Sequence, residues 1–209
     1  MNCVVTSSGL TQLLDCLGRM SVPFQDLPPG QTSVNALADG YPVLVGEVND
    51  LAYLVEDGGT AFGMCWGILA RVARDLEALV IGTVYSASED HCEFFAARGP
   101  QIVRAFWSNP RRTTRPYSQG TLLASEAATP LSTGDGIAAA MRDFRFPLWN
   151  DEERDLLPGE RWVLWPGDLA TLLESDELRE RVNDHVRANP NPTYQPPVPK
   201  VRVRRIEQD

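Results

Sequence analysis

The residues best suited to chemistry in this 209-residue chain are His91, His185, four cysteines and several clustered carboxylates. His91-Cys92-Glu93 has the H-x-E spacing of a zinc deaminase, but that motif also needs a downstream P-C-x-x-C pair, which the sequence lacks. A cysteine nucleophile needs a histidine or a helix N-terminus that favours the thiolate, which Cys92 beside His91 and Cys65 ahead of a helical segment formally offer. Adjacent strand residues face opposite ways, however, so His91 and Cys92 diverge and Cys92 reads as core. Cys3, Cys16, Cys65 and Cys92 have neither paired spacing nor a C-x-x-C, so neither a disulfide framework nor a metal site is expected. No phosphate-cradling glycine loop occurs, nor any hydrolase, metalloprotease or kinase signature, and no cofactor is expected.

Carboxylates remain. Glu89 with Asp90, and the group Asp151, Glu152, Glu153 and Asp155, supply pairs that general acid-base catalysis could use. Such clusters more often form solvated surface, where they meet the lysines and arginines of a basic partner and speed association. Trp149, next to the second group, is of the residue type that anchors interfaces. These seven residues are the candidate partner-binding set. A net charge of -9 and a pI near 4.8 repel nucleic acid and anionic lipid and attract a basic protein. No apolar run approaches the roughly 20 residues that cross a bilayer, and the first residues lack the order of a signal peptide, so a cytoplasmic location is expected.

These residues must be positioned by a scaffold whose elements are partly legible. Leu10, Leu13, Leu14 and Leu17 fall on one helical face, and SVPFQDLPPGQTS after them reads as a loop. YPVLVGEV and LAYLVEDGG flank Asn49-Asp50 as a hairpin. WGILARVARDLEALV follows a helical period through Ile68, Val72, Leu76 and Leu79. LVIGTVYS, CEFFAAR and QIVRAFWS predict three antiparallel strands, the last two reversing at Gly99-Pro100. In the third strand, strict alternation puts Ile102, Arg104 and Phe106 on one face and Val103, Ala105 and Trp107 on the other, with Arg104 at a rim or paired with an acid.

NPRRTTRPYSQG reads as a basic loop and TLLASE as a short strand, with a helix from Gly134 to Arg145 and a buried strand at Val163-Leu164. A final helix runs from a cap at Asp168 through Leu169, Leu172, Leu173, Val182 and Val186. The expected fold is α+β: a single domain over residues 1–189 with a mainly antiparallel sheet and helices packed on it. Residues 190–209 form a proline-rich, basic tail or arm.

EFFAARGPQIVRAFW followed by SQGTLLASE resembles a pattern of small cytosolic immunity proteins that neutralise polymorphic or type VI secreted toxins. The matching residues are Phe94, Phe95, Gly99, Arg104, Gly120, Leu122, Leu123 and Glu126. The resemblance implies a non-catalytic inhibitor that binds a cognate toxin domain delivered by a neighbouring cell and blocks its active site or substrate entry. No binding residue carries over from it, and the basic loop at Arg111, Arg112 and Arg115 departs from a uniformly acidic surface. Two alternatives stand beside it: an enzyme of unrecognised type using acidic residues or Cys92, and an adaptor whose C-terminal arm docks onto a partner's sheet.

Overall fold

In the computed structural model the elements run β1 (Asn2–Thr6), α1 (Leu10–Arg19), β2 (Gln25–Asp26), β3 (Tyr41–Val48), β4 (Leu51–Glu56), α2 (Trp66–Asp75), β5 (Leu79–Ser86), β6 (His91–Arg98), β7 (Gln101–Ser108) and β8 (Tyr117–Gly120). A 3-10 turn (Ala124–Ala127), α3 (Gly134–Asp143), β9 (Arg161–Trp165) and α4 (Glu177–Ala188) follow among the described residues. The structure describes residues 2–20, 22, 24–26, 41–48, 50–56, 65–146, 161–165 and 176–193.

Among the described residues nine strands form one sheet in the order β2-β9-β3-β4-β1-β5-β6-β7-β8, and every pairing between them is antiparallel. Both faces are covered, because the strands carry apolar residues at odd and even positions alike. On one face Val4, Val45, Leu54, Val80, Phe95 and Trp107 pack under Leu13 and Leu17 of α1, Trp66 and Leu69 of α2, and Val182 of α4. On the other, Val5, Tyr53, Ile81, Phe94 and Phe106 pack under Ile137, Ala140 and Met141 of α3. The α+β single-domain expectation is met.

Local sequence explains most boundaries. α2 stops earlier than its hydrophobic period, because Glu77 takes a left-handed φ of 49° and the chain turns. Ala78 N–H then donates to the Ala73 carbonyl at 3.0 Å and Glu77 N–H to that of Arg74 at 3.2 Å, the bonding of a Schellman stop, so Leu79 opens β5 instead of extending the helix. α3 ends the same way: Arg145 has φ 64° and Phe146 N–H donates to the Met141 carbonyl at 3.1 Å. β3 and β4 pair as the expected hairpin, with Val48 opposite Leu51 and Asp50 at φ 62°. Gly99, at φ 52°, makes the tight β6–β7 reversal.

Three expectations are corrected. The register of β6 and β7 shifts by one residue, Ala96 facing Arg104 while Ala97 faces Ile102. This bulge takes Ile102 to the face of Ala105 and Trp107, and puts Val103 with Phe106 on the other. The strand expected at TLLASE lies earlier, at Tyr117–Gly120, inside the segment read as loop, and residues 124–127 form the 3-10 turn. Within SVPFQDLPPGQTS, Gln25 and Asp26 pair with Leu164 and Val163 as a two-residue edge strand.

α4 is capped by Asp176, whose Oδ1 accepts from Leu178 N–H at 2.9 Å and Arg179 N–H at 3.0 Å. The expected cap Asp168, with Leu169, Leu172 and Leu173, lies outside the described residues, as does the chain from 194.

Candidate functional site

Tyr85, Cys92 and Ser108 form a row across β5, β6 and β7, since Cys92 is the register partner of both others. The β5–β6 turn, the loop after β7 and the start of α3 close around this row and leave a cleft of about 490 Å³. Ala87 and Asp90 line it from the turn, Pro110 and Pro116 from the loop, and Ser132 and Thr133 from the approach to α3. Thr133 is fixed there as the α3 cap, its hydroxyl oxygen accepting from Gly136 N–H at 3.0 Å. Gly134 allows the close approach, because a Cβ at that position would stand 3.0 Å from the Tyr85 ring.

Charge enters through the turn. Asp90 sits at φ 52°, a conformation aspartate tolerates better than most residues. Arg111 Nε donates to its Oδ2 at 3.1 Å, and Arg111 Nη2 donates to the Ser88 carbonyl at 2.8 Å. With the two side chains 53% and 54% exposed, such a pair contributes about 0.2–1 kcal/mol. It is cheap to exchange. Burial, reinforced by Asp90, pushes the Cys92 thiol up to about 11, so it is held protonated near neutral pH. The Ser108 hydroxyl is largely buried and makes no hydrogen bond among the described residues.

Other ionisable groups are engaged inside the fold. Glu93, 0% exposed, takes both its oxygens to Arg179 Nη1 at 2.7 Å and meets His91 Nε2 at 2.7 Å. This cluster ties α4 to β6 on the sheet face opposite the cleft. His91 and Cys92 thus point to opposite faces, as strand alternation predicts. Arg104, read from sequence as a rim or paired charge, is paired and buried: it grips Glu126 with Nε–Oε1 at 2.7 Å and Nη2–Oε2 at 2.8 Å. Its Nη1 donates to Ser118 Oγ and the Gln119 carbonyl, tying the edge strand β8 down. Burial raises the Glu126 carboxyl, but the Arg104 bond and Leu123 N–H outweigh it and hold it below its ordinary range.

Asp176 also joins two helices, since its Oδ2 accepts from Gly67 N–H of α2 at 2.8 Å. Burial dominates there and raises its carboxyl despite three N–H donors.

Of the candidate partner-binding residues, Glu89 and Asp90 stand exposed in the β5–β6 turn, Asp90 on the cleft wall. Trp149, Asp151, Glu152, Glu153 and Asp155 lie outside the described residues. The basic loop is distributed rather than patch-like: Arg111 meets Asp90, Arg112 lies over the Trp107 ring at 5.9 Å, and the Arg115 carbonyl bonds His185 at 3.0 Å. Tyr85, Ser108, Pro110 and Pro116 were missed by sequence reasoning, because none belongs to a motif and their convergence depends on strand register. Among the described residues no group of His, Cys, Asp and Glu is placed to hold a metal, and no helix is long and apolar enough to cross a membrane. Comparison with protein-family models, curated proteins and solved structures found no match to this chain.

Proposed function

We propose that this chain is a non-catalytic immunity protein, which binds a basic toxin domain in the cytoplasm and neutralises it by occupation. The observation that carries the reading is the cleft at the β5–β6 turn, where an exposed carboxylate stands beside aromatic and proline walls. That combination suits a cationic side chain of a partner protein better than a reacting substrate. The groups with catalytic chemistry support it as well. Glu93, Arg179, His91, Arg104 and Glu126 are spent on holding strands and helices together, and the one thiol in the cleft is protonated. The chain's net charge of -9 draws a basic partner toward this surface.

The test is co-expression with the product of the neighbouring reading frame. A product that is toxic alone, harmless with this chain and recovered with it in a stoichiometric complex is the expected result. If every neighbouring product stays toxic and unbound, the proposal fails.

A further inference from the structure

We infer that the β7–β8 loop, residues 109–116, is a strap whose position sets access to the cleft, and that Thr113 pins it to the end of α4, on the opposite face of the sheet. The inference rests on the cleft being the binding surface proposed above and adds what controls its opening. Pro110 and Pro116, near the two ends of the strap, line the cleft. Of residues 110–116 Thr113 alone is buried, at 3% exposure, and the six others are exposed. A segment with one buried side chain has little apolar packing to hold it, so its polar ties decide where it lies.

Its ties run chiefly to residues 185–191, the end of α4 and the chain just after it. The Thr113 hydroxyl donates to the Asn189 carbonyl at 2.6 Å, and the Thr114 N–H donates to the same oxygen at 3.1 Å. The Asn191 N–H donates to the Arg112 carbonyl at 3.1 Å, and its side-chain amide to the Pro110 carbonyl at 2.7 Å. His185 Nε2 donates to the Arg115 carbonyl at 3.0 Å. α4 packs by Val182 on one face of the sheet, whereas Cys92 on the cleft floor belongs to the other. The strap therefore links the two faces and carries the position of α4 to the cleft wall. Loosening a tie raises the fraction of molecules with the strap displaced, and the Cys92 thiol, 1% exposed in the closed arrangement, reports that fraction.

The experiment measures alkylation of the native full chain by iodoacetamide, resolved by mass spectrometry at Cys92 and at Cys16 as internal reference. Cys16 is 0% exposed in the core under α1 and is reached only when that core opens, so the ratio of the two rates separates strap opening from loss of the fold. Thr113→Val keeps the side-chain shape and removes the hydroxyl; it should raise the Cys92 to Cys16 ratio by about two- to tenfold, the range of one buried hydrogen bond. Asn191→Ala, at a half-buried position past the end of α4, should raise it by about two- to fivefold, and it decides alone if Thr113→Val loosens the whole fold. A ratio unchanged in Asn191→Ala, whether because neither cysteine responds or because both accelerate equally, would overturn the strap and leave the immunity reading to its co-expression test. Selective opening at Cys92 in a chain that neutralises no neighbouring product would support the strap and sink the immunity reading.

Discussion

Replacing Arg179 by methionine removes the guanidinium that neutralises the most deeply buried carboxylate among the described residues, while keeping an unbranched chain of similar length. Glu93 is 0% exposed, and both of its oxygens lie 2.7 Å from Arg179 Nη1. Without Arg179 the carboxylate keeps, among the described residues, only His91, and removing one partner of a buried pair costs about 3–5 kcal/mol. That is a large share of the roughly 5–15 kcal/mol by which a domain of this kind is stable. Glu93→Gln, which orphans the arginine instead, should cost a similar amount. Independent losses would sum to about 6–10 kcal/mol, but the second substitution also removes the group that the first left unpaired. The double variant is therefore expected to be no less stable than the weaker single one, a coupling of about 3 kcal/mol or more. Urea unfolding measures this directly, as midpoints compared at a common slope. Single losses under about 1 kcal/mol, or additive ones, would refute the view that this cluster is a structural tie between β6 and α4.

Three further outcomes follow from the geometry. Cys92, with its thiol pushed up to about 11, should react with iodoacetamide at pH 7.5 far more slowly in the native protein than in urea; equal rates would show an open, activated thiol. Glu126 has a folded carboxyl below its ordinary value of 4.5, so the stability it contributes is present above that value and is lost as pH falls through the folded one. Glu126→Gln should cost about 3 kcal/mol at pH 7 and flatten the acid limb of stability against pH, and an unchanged limb would contradict the pairing with Arg104. Glu77→Gly should raise stability by up to about 1 kcal/mol, because glycine holds the left-handed φ of 49° without steric cost; a lower melting temperature would argue against that backbone conformation.

The elements legible in the sequence were those with strong periodicity or distinctive turn residues: α1, α3, the β3–β4 hairpin and the β5–β6–β7 meander. Where legibility failed, the deciding force was not written in local pattern. β8 alternates between half-buried and exposed residues and is held by Arg104 from the neighbouring strand, so its apolar signal is weak. The bulge at Val103 cannot be seen without the partner strand, and it alone decides which face Ile102 joins. The end of α2 is set by one glutamate in a conformation that glycine more often supplies.

The site divides in the same way. Glu89 and Asp90 were visible as acids, whereas Arg111, 21 residues from Asp90 along the chain, joins the turn only because β6 and β7 carry its loop back.

The place of β1 has a consequence for how the molecule assembles. Its five residues are the seam between two sub-sheets, with β3 and β4 on one side and β5 to β8 on the other. Each sub-sheet contains hairpins that local chain contacts can close quickly, whereas β1 must find both Leu51–Glu56 and the strand beginning at Leu79. Until it docks, β4 and β5 each present an unpaired edge rich in buried-type residues, the feature that promotes self-association. A detached peptide of the β1 sequence, added to a chain lacking it, would act as a molecular zip whose insertion both completes the sheet and silences two sticky edges.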